Sequence, residues 1–182
     1  MNVVVTGHTS GIGKYFFDYY NQKGHAVGFS RSNGHDISNS TTQDHIIEAC
    51  ADADIFINNA YSAFSQTELL FKFAKSYLSS NKTIINIGSG ITQKYERIPD
   101  VQYRTAKLSL DDACKEIWTD IDRQQSLLHV MLAIPCKIKT GRAIHNPLNL
   151  EPVSTQSFCD LVIHCLNINE YKVRQLGIGL SY

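Results

Sequence analysis

The sequence lacks an excess of charge of either sign. Its 182 residues include 17 Lys plus Arg and 17 Asp plus Glu, so the formal net charge is zero. Because nucleic acids and anionic membranes attract a positive surface, this balance argues against both as partners. No apolar run approaches the roughly 20 residues that a membrane-spanning helix requires. The N-terminus also shows no charged region followed by an apolar stretch and a cleavage site, so we expect a cytoplasmic protein.

Cysteine and histidine occur without the spacings that metal sites and disulfide frameworks use. The five cysteines form no CxxC pair, and the seven histidines include no HExxH. An odd number of cysteines without paired spacing is typical of reduced thiols in the cytoplasm. The pattern therefore predicts neither a metal site nor a disulfide framework.

The chain does contain a regular alternation of short apolar runs with longer segments of helical periodicity. The sequence predicts strands at 1–6, 25–30, 54–58, 82–88, 127–134 and 175–180, and helices at 12–23, 42–51, 66–79, 102–124 and 155–166. This alternation predicts an α/β fold: a Rossmann-type, doubly wound parallel sheet with helices on both faces, in one domain over residues 1–182. The irregular segments 90–101 and 140–154 follow strands at the end where such sheets hold ligands.

The first predicted strand runs directly into a glycine-rich turn, TGHTSGIG, which leads into a helix. Gly7, Gly11 and Gly13 permit a tight turn and a close approach of the backbone to a diphosphate. The start of the helix offers N–H groups to the same phosphates, and Thr9 and Ser10 can add hydroxyl contacts. The placement between strand and helix favours a bound nucleotide over a glycine-rich turn without a ligand.

This turn matches the TGxxxGIG motif of the short-chain dehydrogenase/reductase family, of which the chain resembles a compact member. The resemblance covers nearly the whole chain, because further motifs of the family follow in order. It implies that Ile12 also borders the cofactor. Asn58-Asn59-Ala60 resembles the NNAG motif, which stabilises the central strand and borders the adenosine ribose. Tyr61 stands where the family has its glycine, so the local backbone path can differ from that of the family.

The end of the second predicted strand carries a basic residue, Arg31, where an acid would bind the ribose 2′-OH of NAD(H). A guanidinium can instead pair with the 2′-phosphate of NADP(H), so the charge favours NADP(H) and leaves NAD(H) as the alternative. Arg31 as a solvated surface residue is the other interpretation. Asp36 and Ile37 resemble the family's segment in which the Asp contacts the adenine amino group. Asp36 can also cap the next helix.

Tyr103 and Lys107 are four residues apart on a predicted helix, so their side chains share one face. A tyrosine has a pKa of about 10, and a neighbouring ammonium lowers it towards neutral pH. Such a phenol can donate a proton to the alkoxide that forms when a carbonyl is reduced, and can remove it in the reverse reaction. By resemblance to the family, the hydroxyl of Ser89, at the end of a strand, holds the substrate oxygen beside the tyrosine.

Later motifs of the family are present in altered form. Pro135 and Thr140 resemble the family's Pro-Gly element and its later threonine, which border the nicotinamide. Cys136 replaces the glycine, and a small packing residue explains it better than a nucleophile does. Many relatives carry an asparagine that holds a water in a proton relay, on the helix before the serine-bearing strand. The segment 64–78 contains no asparagine, so a backbone group or another water must hold the relay, or the enzyme is slow.

Together these features predict an NADP(H)-dependent oxidoreductase that interconverts a carbonyl and an alcohol, with a small-molecule substrate and Tyr103 as general acid and base. The alternative is a non-catalytic regulator that binds NADP(H). The segment 66–79 carries apolar residues on more than one side, and the long helix adds Trp118. We therefore expect helix pairing between subunits, in a homodimer or a homotetramer.

Overall fold

Six parallel strands form one sheet. The structure is a computed structural model that describes residues 1–93, 100–135, 153–168, 170 and 172–178. The sheet order is β2-β1-β3-β4-β5-β6. The strands are β1 (Val3–Thr6), β2 (Ala26–Phe29), β3 (Ile55–Asn58), β4 (Thr83–Ile87), β5 (His129–Pro135) and β6 (Gln175–Ile178). The predicted parallel sheet is therefore confirmed.

Helices cover both faces of this sheet. They are α1 (Gly11–Asn21), α2 (Ser40–Ala49), α3 (Ser65–Tyr77), α4 (Val101–Gln124) and α5 (Thr155–Leu166). Because side chains alternate along a strand, Val4 packs in one core and Val3 in the other. The first core includes buried residues of α2, α3 and α4, and the second those of α1 and α5. Every predicted strand and helix is present, and wherever the structure describes an end, that end lies within two residues of the predicted one.

Both described ends of the segment 90–101, predicted to be irregular, carry helical structure. A short 3₁₀ helix occupies Gly90–Gln93, and α4 begins at Val101. The side chain of Asp100 accepts a hydrogen bond of 2.9 Å from the backbone N–H of Tyr103, which caps α4 at its N-terminus. The cap sets the start of the helix that carries Tyr103 and Lys107.

The chain switches direction across the sheet at β1. β1 pairs with β2 on one side and with β3 on the other. In the common six-stranded dinucleotide-binding order, 3-2-1-4-5-6, another strand lies outside the second. Here no described strand lies outside β2, and Val27 of β2 is half exposed. Ligands of open α/β sheets bind at the carboxyl ends of the strands beside this switch point. No helix among the described residues is both long enough and apolar enough to cross a membrane.

Candidate functional site

The turn after β1 has a geometry that only glycine accommodates. Gly7 has a φ of +71°, and its N–H donates to the carbonyl of Phe29 at 2.7 Å. A Cβ on Gly13 would lie 2.2 Å from the carbonyl oxygen of Gly7. The helix therefore begins so close to the end of β1 that no side chain fits at Gly13, as a turn that cradles a diphosphate requires.

The first turn of α1 presents unused hydrogen-bond donors. Ser10 is the N-cap residue, but its side chain makes no capping hydrogen bond, and the first turn carries no acidic residue. The N–H groups of Gly11 and Ile12 lie in the first helical turn, where no intrahelical acceptor exists. Thr9 and Ser10 are exposed beside them. These donors and the dipole of α1 fit an anionic diphosphate.

Hydrogen bonds join the ends of β1 and β3 at the switch point. The hydroxyl oxygen of Thr6 accepts from the backbone N–H groups of Asn59 at 2.9 Å and of Ala60 at 3.0 Å. The Asn59 side chain donates in turn to the carbonyl of Thr6 at 3.0 Å. Two of the predicted cofactor-binding residues, Asn59 and Ala60, therefore lie directly beside the glycine turn.

Arg31 lies at the open edge of the sheet, just after β2. It begins a short 3₁₀ helix, Arg31–Asn33, which is held by a reciprocal cap between Ser30 and Asn33. The Asn33 side chain also donates to the carbonyl of Gly28 at 2.8 Å, which ties the turn back to β2. The Arg31 side chain is exposed and has no ion pair among the described residues. Its guanidinium is thus available to an anion.

Asp36 does not cap α2, so that predicted role is wrong. The N-cap is Asn39, whose side chain accepts from the N–H of Thr41 at 2.8 Å. Asp36 instead accepts from the N–H and the hydroxyl of Ser38, both at 2.9 Å. These bonds, helped by the charge of Arg31, lower the pKa of Asp36. The next residue, Ile37, is buried in the core, and Asp36 remains part-exposed at the sheet edge.

Lys107 is buried under Tyr103 on α4. Its side chain is 3% exposed, and its Nζ lies 5.8 Å from the centre of the Tyr103 ring. The Nζ donates to the carbonyl of Ile87 at 2.7 Å, at the end of β4. The two side chains therefore share one helical face, as the spacing predicts, and that face meets the carboxyl end of β4.

Ser89 lies two residues beyond Ile87, the residue that Lys107 contacts. Two residues of chain span about 7 Å at most, which keeps Ser89 near the amine. The Ser89 oxygen accepts a long hydrogen bond of 3.4 Å from the N–H of Ile91. Because that bond uses the oxygen as an acceptor, the hydroxyl hydrogen can still be donated.

Sequence reasoning missed Gln66, whose side chain accepts the second hydrogen bond of Lys107. Its amide oxygen accepts from the Lys107 Nζ at 2.7 Å. Gln66 belongs to α3, the helix on which many members of the family carry the relay asparagine. One signal was available: Gln66 precedes Leu69, Leu70 and Phe73 at helical spacing, so a polar residue stands first in a buried apolar stripe.

Lys107 is buried and contacts no carboxylate among the described residues, which makes its amine a weak base. Desolvation lowers the pKa of Lys107 to about 7, against an opposing effect of Asp111, one turn further along α4. Burial also raises the pKa of Asp111. No ion pair joins the two among the described residues. The amine therefore changes its charge near neutral pH.

Of the later motif residues, the structure describes Pro135, the last residue of β5, which pairs with Ile178 of β6. Thr140 and Cys136 lie outside the described residues. The four described cysteines are free and buried. No group of three or more metal-ligating side chains occurs in the described part of the chain.

Comparison with known proteins reveals similarity in fold but not in sequence. No protein-family model and no curated protein matches the chain. A short-chain dehydrogenase/reductase from Vibrio parahaemolyticus matches with a TM-score of 0.80 and 14% identity, over 99% of this chain and 98% of that one. The closed form of serine dehydrogenase complexed with NADP+ gives 0.77 and 16%, over 100% and 97%. The 3-alpha-hydroxysteroid dehydrogenase from Pseudomonas sp. B-0831 complexed with NADH gives 0.75 and 14%, over 98% and 95%.

Proposed function

Since the chain has the fold of the short-chain dehydrogenases/reductases, we propose that it is an NADP(H)-dependent oxidoreductase that interconverts a carbonyl and an alcohol. The observation that carries this proposal is the burial of Lys107 on the same helical face as Tyr103, with its Nζ bonded to the end of β4. A surface Tyr and Lys at this spacing would leave the lysine in solvent. A buried amine beside a phenol instead points to proton transfer.

In this proposal Tyr103 moves the proton. During reduction its phenol donates a proton to the carbonyl oxygen as that oxygen becomes an alkoxide, and during oxidation the phenolate takes the proton from the alcohol. The ammonium form of Lys107 favours the phenolate, and Ser89 donates a hydrogen bond to the same substrate oxygen. When bound, the nicotinamide cofactor supplies or accepts the hydride.

The residues at the carboxyl ends of the strands would hold that cofactor. The turn from Gly7 to Gly13 and the start of α1 would bind the diphosphate. Asn59 and Ala60 would border the adenosine ribose, and Asp36 with Ile37 the adenine. Pro135 and Thr140 would border the nicotinamide. The fit is supported by the unused donors of α1 and by the close approach of Gly13 to Gly7.

The preference for NADP(H) rests on Arg31. The two solved structures with named cofactors carry NADP+ in one case and NADH in the other, so the fold favours neither. An exposed guanidinium at the edge of the sheet can form an ion pair with a 2′-phosphate, whereas a 2′-OH carries no negative charge for it to pair with. Asp36 is a nearby negative charge that would repel a phosphate. One of its carboxylate oxygens accepts both hydrogen bonds from Ser38 and so points into the turn 36–38.

A non-catalytic regulator that binds NADP(H) is the second candidate. It is favoured by the two structural bonds of Lys107, to Ile87 and Gln66, because a lysine that only joins α4 to β4 and α3 would make the same bonds. The two candidates differ in turnover. Titration with NADPH and NADH, followed by a screen of small carbonyl compounds, tests both: binding with turnover supports the enzyme, and binding without turnover supports the regulator.

We also propose that the protein is a homodimer or a homotetramer and is located in the cytoplasm. Much of the apolar surface that suggested helix pairing is covered within the chain, since Trp118 donates to the carbonyl of Val130 at 2.8 Å and Phe73 is buried. Phe71 of α3 remains half exposed and available to a second subunit. Buried free thiols fit a reducing compartment. Light scattering at micromolar concentration tests the assembly, and a monomeric mass would refute it.

A further inference from the structure

Gln66 is a buried amide at the meeting point of three elements. Its side chain is 3% exposed. The amide nitrogen donates to the carbonyl of Asn58 at 2.5 Å and to the carbonyl of Ile87 at 3.1 Å. The amide oxygen accepts from the Nζ of Lys107 at 2.7 Å. One side chain of α3 thus joins the ends of β3 and β4 to the lysine of α4.

The orientation of this amide follows from its partners. Carbonyl oxygens only accept hydrogen bonds, so the NH₂ group of Gln66 must face Asn58 and Ile87. The oxygen of Gln66 is then left for the lysine. A glutamate could accept from Lys107 but could not donate to the two carbonyls, and an asparagine is one methylene shorter. Glutamine satisfies all three contacts without adding charge.

Within the described part of the chain, few charged groups surround Lys107. Of the described residues, the titratable groups that face the Nζ are Tyr103 and Asp111 from α4 and Tyr61 from the loop before α3, whose ring centre lies 6.0 Å away. β4 contributes the carbonyl of Ile87, and α3 contributes the neutral amide of Gln66. Both groups in hydrogen-bond contact are therefore neutral. An ammonium has three donors, so one N–H remains beyond these two bonds.

We propose that Gln66 is the positioning residue for Lys107: its amide oxygen holds the Nζ beside Tyr103 and adds no negative charge. The inference rests on the proposed function for its catalytic meaning, and Gln66 lies on the helix where many members of the family carry their relay asparagine. A carboxylate at the same distance would keep the lysine charged across the neutral range. With the amide, the amine gains and loses its proton near pH 7, because burial lowers the pKa of Lys107 to about 7.

The test is a pH titration of Lys107 in the protein without cofactor. Its protonation is monitored by NMR, through the signal of lysine labelled with ¹³C at Cε. The signal of Lys107 is assigned by its loss in Lys107→Met. We expect a midpoint near 7 in the wild type and a midpoint at least about 1 pH unit higher in Gln66→Glu, where a carboxylate contacts the amine. In Gln66→Met, which removes the acceptor, the midpoint falls below that of the wild type.

The matched control is Thr67→Val on the same helix. Thr67 is buried, and its hydroxyl has no hydrogen-bond partner among the described residues. Its isosteric replacement should leave the Lys107 midpoint unchanged. Equal midpoints in the wild type and both Gln66 variants would overturn the proposal. If Gln66→Glu fails to fold, Gln66→Met tests the proposal by itself. A Lys107 midpoint in Gln66→Met equal to that of the wild type would contradict the proposal.

Kinetics separate this inference from the proposed function. On a carbonyl substrate, Gln66→Met should lower kcat by about 10-fold to 100-fold with little change in the KM for NADPH, because the Lys107 amine is no longer held beside Tyr103. Gln66→Glu should shift the pH profile of kcat to higher pH, in the same direction as the Lys107 midpoint measured by NMR. If the midpoints move as expected but no carbonyl is turned over, the enzyme proposal fails and the role of Gln66 in holding Lys107 stands. If turnover occurs and the midpoints do not move, Gln66 alone is misassigned.

Discussion

The ring of Tyr61 lies edge-on against the ring of Tyr103, with the centroids 4.8 Å apart and the planes at 79°. Edge-to-face pairs of this kind stabilise by about 0.5–1.5 kcal/mol beyond the area that they bury. Tyr61 is 37% exposed, so the contact lies at the mouth of the site rather than in the core. The residue that replaces the family's glycine therefore orients the phenol proposed to transfer the proton.

Removal of that ring should slow the chemical step. We expect Tyr61→Ala to lower kcat by about 3-fold to 10-fold, because the Tyr103 ring loses a contact of about 0.5–1.5 kcal/mol that fixes its direction. Tyr61→Phe keeps the ring and should retain more activity than the alanine variant. Steady-state kinetics on any accepted carbonyl measure the difference. Equal rates for Tyr61→Ala and the wild type would mean that the contact does not orient Tyr103.

Gly13 should tolerate no side chain. A Cβ there would lie 2.2 Å from the backbone oxygen of Gly7, and backbone cannot move away as a flexible side chain can. We expect Gly13→Ala to lower the free energy of unfolding by about 1–3 kcal/mol and to weaken NADPH binding by about 10-fold or more. Gly24→Ala is the control, because among the described residues its Cβ would come within 4 Å of the Met1 carbonyl oxygen alone, at 3.2 Å. Urea unfolding and a cofactor titration give both quantities, and near-equal behaviour of the two variants would contradict the expectation.

Arg31 should discriminate between the two nicotinamide cofactors. Hydrogen bonds to charged groups contribute about 1.5–3 kcal/mol, so Arg31→Ala should raise the Kd for NADPH by about 10-fold to 100-fold and leave that for NADH nearly unchanged. Added salt should weaken NADPH binding in the wild type more than in the variant. Arg123→Ala removes another exposed arginine, in the last turn of α4, and serves as the control. If Arg31→Ala weakened the binding of NADPH and NADH equally, Arg31 would support the fold and not the choice of cofactor.

Lys107 should make stability rise with pH above neutrality. Its pKa is lowered to about 7 in the folded protein from an ordinary value of 10.5, so between these values the unfolded chain binds the extra proton. The free energy of unfolding then increases with pH by up to about 1.4 kcal/mol per unit. Lys107→Met lacks this contribution. Urea unfolding at pH 7, 8 and 9 should show a smaller rise of the free energy of unfolding in the variant. An equal rise in both proteins would contradict a buried Lys107 amine that is neutral in this pH range.

Much of the fold could be predicted because periodicity reports burial. Residues at spacings of three and four on the long helix, from Ala106 to Ile121, are buried as expected, and strands such as Val3–Thr6 are buried on both faces. The order of motifs along the chain then located the glycine turn at the switch point. Strand and helix ends differ because caps such as Asp100, rather than apolar spacing, determine where a helix begins.

The details of the site could be predicted less well, because they depend on residues distant in sequence. Gln66 meets Lys107 across 41 positions of the chain, and no local pattern reports such a contact. Tyr61 reaches Tyr103 in the same way. Asp36 shows a different limit: several residues before a helix can cap it, and in this chain Asn39 does so. The choice depends on the exact path of the backbone, which residue type alone does not determine.

The most direct test of the account is the single-turnover rate of NADPH oxidation with an accepted carbonyl, in wild type and Tyr103→Phe. Tyr19→Phe on α1, whose hydroxyl accepts only from Lys23 among the described residues, is the control. General acid catalysis contributes about 10²-fold to 10⁴-fold, so Tyr103→Phe should lose that factor while its affinity for NADPH and the rate of Tyr19→Phe stay near those of wild type. A rate for Tyr103→Phe equal to that of wild type would contradict proton transfer by this phenol.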